Sequence, residues 1–209
     1  MNDYSQFAAL SPTSYADAGL GRAQFMDMGI REMWPRMPRI AGPAYTVSCP
    51  PGDNLMFHAA IYRAQPGSVI VGLAEKNVDY AMLGGNVAAT AQQRGIAGFV
   101  IDGVIRDVEE VRTAGFAVFA RGVSPVPGHK KALGTLNQPI ICGGVTVHPG
   151  DMVVADEEGI VVIPAAQQQQ IWQLAKQRVE KDENQSLADW QTNHRAKVEQ
   201  LLQSLNFEA

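Results

Sequence analysis

The stretch GGNVAATAQQRGIAGFVIDGVIRD, residues 84–107, decides how this chain is read. Gly84-Gly85 opens a helical run that reaches Gly95, and Gly98 to Ile101 (GFVI) is a short buried strand. Asp102-Gly103 is a turn signal, and Asp107 to Ala114 reads as the next helix. Helix, buried strand and helix in succession imply βαβ units and a parallel sheet.

Working outward, the same texture extends over residues 40–120. Ala44 to Ser48 (AYTVS) alternates like a strand, Asp53 is placed to cap a helix running to Ala64, and Ser68 to Leu73 (SVIVGL) is another buried strand. Ser11-Pro12 predicts an N-cap followed by proline at the first helical position, with a stop at Gly19 or Gly21. Residues 120–164 carry only short strands separated by Gly and Pro turns: 117–119, 139–142, 145–147, 152–155 and 160–163. Asp151, Asp156, Glu157 and Glu158 flank Gly150 and Gly159 and are expected to cap turns. Residues 165–205 then contain neither Gly nor Pro and predict a long helix or helical hairpin, broken near Asn184-Gln185-Ser186. Its apolar stripe (Ile171, Trp172, Leu174, Ala175, then Leu187, Trp190, Val198, Leu201, Leu202) must pack on its own domain or on a neighbouring subunit. The expected division is a core of residues 1–164 and a helical extension of 165–209.

Composition narrows the function. Of the 209 residues 46% are hydrophobic and 18% charged, enough apolar chain for one sizeable core. A net charge of −4 argues against nucleic acid, whose phosphates need a basic face. No apolar window is long enough for a transmembrane helix, and MNDYSQFAALSP lacks the basic and apolar regions of a leader. Cys49 and Cys142 form no CxxC pair, so a reducing, cytoplasmic setting is expected.

Several residues could carry chemistry. Gly84-Gly85 at a strand-to-helix junction leaves backbone amides unobstructed for a carboxylate or phosphate; it is equally a tight turn. Arg106 is a permanently charged fork for a carboxylate or an enolate oxygen, and Asp107 a hard oxygen ligand for Mg²⁺ or Mn²⁺. The competing reading is structural: Asp107 with Glu110 has capping-box spacing, and Arg106 could pair with Glu109 or Glu110. The histidines at 58, 129, 148 and 194 have no metal-binding spacing. His58 reads as a packed or surface residue and His129 as part of a solvated basic loop. Lysines are few near these motifs, so a Schiff-base mechanism has no obvious candidate.

In order along the chain come Pro50-Pro51-Gly52-Asp53-Asn54, Gly84-Gly85, Arg94-Gly95-Ile96-Ala97-Gly98, the run Ile101 to Asp107, Phe119-Ala120-Arg121-Gly122, Cys142-Gly143-Gly144-Val145-Thr146-Val147, Pro149-Gly150-Asp151 and Ala155 to Pro164. This ordered set, over residues 11–165, resembles the RraA-like superfamily. That superfamily holds the regulator of ribonuclease activity A and the class II 4-hydroxy-4-methyl-2-oxoglutarate / 4-carboxy-4-hydroxy-2-oxoadipate aldolases. The resemblance implies an α/β fold, a swivelling β/β/α domain with a C-terminal helical arm, assembled as a homotrimer or homohexamer with sites between subunits. It implies Arg106 for substrate and enolate binding, Asp107 as the direct Mg²⁺ or Mn²⁺ ligand, and Gly84, Gly85, Asn86 and Val87 as the loop holding a small carboxylate substrate. It also implies an acid from a neighbour's C-terminal helix, here Glu180, Asp182 or Glu183.

One position departs from the aldolase pattern, which has Asp or Glu twenty-one residues before the Arg. Gly85 stands there and leaves an expected gap that a water could fill. The function expected is a metal-dependent carbon–carbon lyase on a pyruvate-type 2-oxo acid, by retro-aldol cleavage or oxaloacetate decarboxylation. The alternatives are a non-enzymatic ribonuclease regulator and a related enzyme with another small carboxylate substrate. The helical arm after Pro164, generally absent from the regulators, favours the enzyme.

Overall fold

The structure is a computed structural model and describes residues 4–75 and 78–207. The first three residues of the segment read for a leader therefore lie outside it. Two short helices, α1 (Ser5–Ala8) and α2 (Pro12–Asp17), lead into strands β1 (Arg31–Glu32) and β2 (Ile40–Ser48). There follow α3 (Leu55–Ala60), β3 (Val69–Leu73), α4 (Gly85–Gln93), β4 (Gly98–Ile105), α5 (Val108–Thr113) and β5 (Val118–Val123). The last part holds β6 (Thr135–Leu136), β7 (Ile140–Cys142), β8 (Val145–Val147), β9 (Met152–Asp156), β10 (Gly159–Ile163), α6 (Gln168–Glu183) and α7 (Leu187–Ser204).

Strand β2 divides its length between two long partners and also meets β6. Residues 44–48 pair in parallel with β3, while residues 40–43 pair antiparallel with β9. The resulting path is β1-β5-β4-β3-β2-β9-β10, with β6 alongside β2 and the β7–β8 hairpin separate. The parallel run β2-β3-β4-β5 is the βαβ core expected from residues 40–120. Its strands are buried on both faces, which is why they read as continuous apolar runs. Ile70, Phe99 and Ile101 face α3, α4 and α5, where Phe99 sits between Phe57 and Phe116 at ring distances of 5.0 and 4.9 Å. Val69, Val71 and Val100 face the β7–β8 hairpin and β9–β10. The outer face of β9–β10 is covered by Phe7, Tyr15 and Ala175 from α1, α2 and α6. The layering is therefore β/β/α with outer helices, as expected.

Local signals held at both ends. Ser11 caps α2, accepting from the amide of Ser14, with Pro12 in the first turn and Gly19 at φ 89° just beyond the helix. The arm breaks at Asn184–Ser186, and Ser186 caps α7 through the amide of Asp189. Helix α6 packs on its own core through Ile171, Trp172, Ala175 and Val179, whereas α7 buries no residue and leaves Leu187, Trp190 and Leu201 exposed. Asp151 and Asp156 take up backbone amides at their turns, those of His148 and Ala165 and that of Glu158.

Asp102-Gly103 is not a turn. Both residues lie inside β4, where the register with β5 shifts between Ile101 and Val104. Glycine is needed at 103 because a Cβ would meet the Ala74 methyl at 2.7 Å. Asp102 instead accepts from Arg121 and from the Gly143 amide, and Arg121 also holds Asp27 at 2.9 and 3.0 Å. This network ties β4 and β5 to the hairpin. Cys49 and Cys142 are both free and buried, one in each of the two cores beside the parallel sheet. Burial pushes the Cys49 thiol up to about 11 and raises that of Cys142 as well.

Candidate functional site

Strand β4 delivers Arg106 and Asp107 at the carboxyl end of the parallel sheet, the end where α/β sheets bind ligands. The Arg106 amide donates to the Leu83 carbonyl at 3.0 Å, and the Met82 amide to that of Val104 at 2.8 Å, so residues 82–83 run beside the end of β4. Asp107 stands in the left-handed region, φ 57° and ψ 40°, which Asp tolerates better than most residues. This conformation turns its side chain away from its own helix. Its carboxylate makes no cap for α5; Oδ2 accepts from the Gly85 amide at 3.1 Å and lies 3.5 Å from Arg106 Nε. The capping box suggested by Asp107 and Glu110 is not formed.

The Gly84-Gly85 pair begins α4 and does not follow directly on β3, which ends at Leu73. Gly84 is required for space: a Cβ there would meet Asp107 Oδ2 at 2.2 Å and Arg106 Nε at 3.0 Å. Of the first-turn amides, Gly85's goes to Asp107, and Val87's goes to the Gly84 carbonyl at 3.1 Å. The Asn86 amide is the first-turn donor that faces no preceding turn of helix. The Val87 amide is thus already engaged within the first turn, and Val87 lines the site.

Asn86, Val87, Gly84, Arg106 and Asp107 line a cavity of about 180 Å³. Three polar lining residues were not chosen from sequence: Asn54, His58 and Lys130. Asn54 is 3% exposed; its Nδ2 donates to the Ala81 carbonyl at 3.1 Å, which fixes the amide orientation, while Oδ1 has no partner among the described residues. Such a buried acceptor is open to a donor from a ligand or a water. His58 is kept neutral: burial first, then the charges of Lys130 and Arg106, lower its pKa to about 4. Asn54 and His58 are four residues apart on one side of an otherwise apolar helix, a polar pair that could have pointed to them.

Lys130 reaches the cavity because Asp53 holds its loop. The buried Asp53 carboxylate accepts from the amides of Leu55 at 2.8 Å, Lys131 at 2.6 Å and Ala132 at 3.0 Å. Burial opposes its ionisation, but these three donors outweigh burial and keep its pKa below the usual carboxylate value. The basic loop is thus a wall of the site and not merely solvated, and a lysine does stand beside Arg106. Glu180 and Asp182 pair along α6 with Lys176 and Arg178, and neither they nor Glu183 line this cavity. A larger hollow of about 670 Å³ beside α2 and β10 contains none of the sequence-chosen site residues.

With this geometry in hand, comparison with known proteins is decisive. The family profile described as "RraA-like: Aldolase/RraA" matches residues 13–162. The chain belongs to the RraA-like family. A relative from Halalkalibacterium halodurans named "Putative 4-hydroxy-4-methyl-2-oxoglutarate aldolase" is 42% identical over 145 residues, 69% of either chain. Among solved structures, an uncharacterized protein from Pseudomonas syringae superposes with a TM-score of 0.76 at 30% identity, covering 86% of this chain and 83% of its own. The RNA-processing inhibitor RraA from Thermus thermophilus gives 0.62 at 30% identity, covering 67% and 84%. Among the described residues, no helix of this RraA-like protein is long and apolar enough to cross a membrane.

Proposed function

We propose that the protein is a divalent-metal-dependent carbon–carbon lyase acting on a small 2-oxo acid. The observation that carries this reading is the pairing, around one small cavity, of two cations, Arg106 and Lys130, with the Asp107 carboxylate at the same helix start. A neutral cavity lining would suit an apolar ligand; this one suits an anion bearing a second group that a hard cation can polarise.

The residues fit such a cation. No group of three or more His, Cys, Asp or Glu side chains gathers among the described residues, which excludes a closed tetrahedral zinc cage there. One carboxylate, Asp107, suits Mg²⁺ or Mn²⁺, which keeps most of its waters. When bound, the cation would supply Lewis acidity toward the keto and carboxylate oxygens and a water for proton transfer. The chain's own part follows from position. Arg106 meets the negative charge that develops on the keto oxygen as the carbon–carbon bond breaks. The Asn86 amide, with the positive end of α4, holds the substrate carboxylate. Lys130 and the Asn54 acceptor bind the more distant polar groups, Asn54 taking a hydroxyl donor.

In the same reading the protein is a homotrimer or homohexamer, supported by the uncovered apolar face of α7. An acid of a neighbour's α6, Glu180, Asp182 or Glu183, then completes the site. The test is pyruvate release from a panel of 4-hydroxy-2-oxo acids and oxaloacetate, with Mg²⁺ and after EDTA. Metal-dependent release is expected. Full turnover after exhaustive chelation would overturn the metal reading, and no release from any substrate would favour the regulator reading.

A further inference from the structure

The glycine at 85 does not serve backbone conformation. Its φ is not positive, and it begins a regular nine-residue helix that any residue could begin. It serves space, and the space is taken. A Cβ at 85 would fall 1.8 Å from Glu110 Oε2 and 2.9 Å from both Cβ and Cδ of Glu110. Glu110 lies in the first turn of α5, three residues after Asp107. Released from any capping box, it extends across to α4 and sets its carboxylate against the peptide whose amide Asp107 holds. The space a side chain at 85 would need is therefore taken from α5, by the Glu110 carboxylate.

We propose that Glu110 is the second carboxylate of the cation site, a positioning residue that takes up the place a side chain at 85 would occupy. It holds water on the cation bound at Asp107. The inference rests on the cation reading above. Three physical points support it. The start of α4 presents the positive end of its dipole, which favours two neighbouring carboxylates there. A cation with one direct protein ligand depends on outer carboxylates to orient its waters. Asn54 Oδ1, buried and without a partner among the described residues, offers the adjoining cavity an acceptor. Positions 85 and 110 are then reciprocal, with room for one carboxylate between them.

Mn²⁺ binding to the full-length protein, followed by electron paramagnetic resonance without substrate, tests this. Glu110→Gln is expected to raise the Mn²⁺ Kd about 10–100-fold with the melting temperature nearly unchanged. The swap Gly85→Asp with Glu110→Ala is expected to return the Kd to within a few-fold of wild type, whereas Gly85→Asp alone binds poorly because its side chain collides with Glu110. A Kd for Glu110→Gln within twofold of wild type, in a protein where Asp107→Asn has lost binding, would overturn the role of Glu110. So would a folded swap variant no better than Glu110→Gln. Undiminished Mn²⁺ binding by Asp107→Asn would instead overturn the cation reading itself.

Discussion

The Asp107 carboxylate and the Gly85 amide meet at 3.1 Å, joining the first turns of two helices that follow successive strands. One side chain thereby stands at the end of β4, on the dipole of α4 and beside Arg106. Asp107→Asn keeps a residue that accepts the left-handed backbone and an oxygen for the Gly85 amide. Its loss of stability is expected to be about 1 kcal/mol or less, which for a chain of this size is a few degrees in Tm. Turnover of oxo acids is expected to be abolished. Calorimetry with a pyruvate-release assay checks both, and a globally unfolded Asp107→Asn would show its role to be structural.

Gly84→Ala is the complementary probe. The added methyl would sit 2.2 Å from Asp107 Oδ2, so the carboxylate must move while the core behind it stays packed. Displacing a catalytic group by about 1 Å commonly costs about 10²-fold. Catalytic efficiency is therefore expected to drop by roughly 10–100-fold, with a near-native melting curve. A fully active Gly84→Ala would show that Asp107 need not stand where it does.

His58 gives a pH-dependent readout. Its folded pKa of about 4 lies below the unfolded value of 6.5, so between these values the unfolded chain binds the proton and the folded chain does not. Stability is therefore lost as pH falls from 6.5 toward 4, by about 1 kcal/mol after allowing for the ring's exposure. His58→Gln is expected to flatten that slope in chemical denaturation. A bound oxo acid, by neutralising Arg106 and Lys130, is expected to raise the His58 pKa in an NMR titration. A free-protein value near 6.5 would contradict the burial argument.

Asp53→Ala tests the loop clamp. It leaves three part-buried amides without their acceptor, and a loss of about 2 kcal/mol is expected, some 4–8 °C in Tm. Affinity for anionic ligands is expected to fall with it, because Lys130 is no longer held over the cavity. If the folded variant binds substrate as tightly as wild type, Lys130 does not hold substrate.

Because Lys130 lines the site, borohydride reduction separates metal from Schiff-base chemistry. Incubation with pyruvate and borohydride is expected to add no mass. A stable adduct on Lys130 would overturn the metal-dependent reading.

Much of this was legible in the chain. The apolar runs of β2 to β5, the Ser11-Pro12 cap, the break near Asn184-Gln185-Ser186 and the glycine stops are local signals, and they hold because neighbouring residues alone fix them. The two-residue strands β1 and β6 were not visible, since they exist only through partners in β5 and β2. Asp102-Gly103 carries turn chemistry, yet packing against Ala74 keeps it inside a strand. Arg106 and Asp107 stood out because they share one motif. Asn54, His58 and Lys130 did not, because a loop closure clamped by Asp53 brings them to it. The capping-box spacing of Asp107 and Glu110 misled for a single reason: one residue at positive φ redirects both carboxylates toward α4.

The two buried thiols give each side of the parallel sheet its own clock. Cys49 sits with the helices that carry the site and Cys142 with the β7–β8 hairpin, and neither is reactive as a folded-state thiol. Alkylation can then proceed only through opening of the surrounding core, and peptide mapping distinguishes the two sulfurs. A pulse of iodoacetamide at graded urea would report whether the helical side loosens before the hairpin side or whether both give way together. The native sequence thus carries its own paired probe of cooperativity, with no label to introduce.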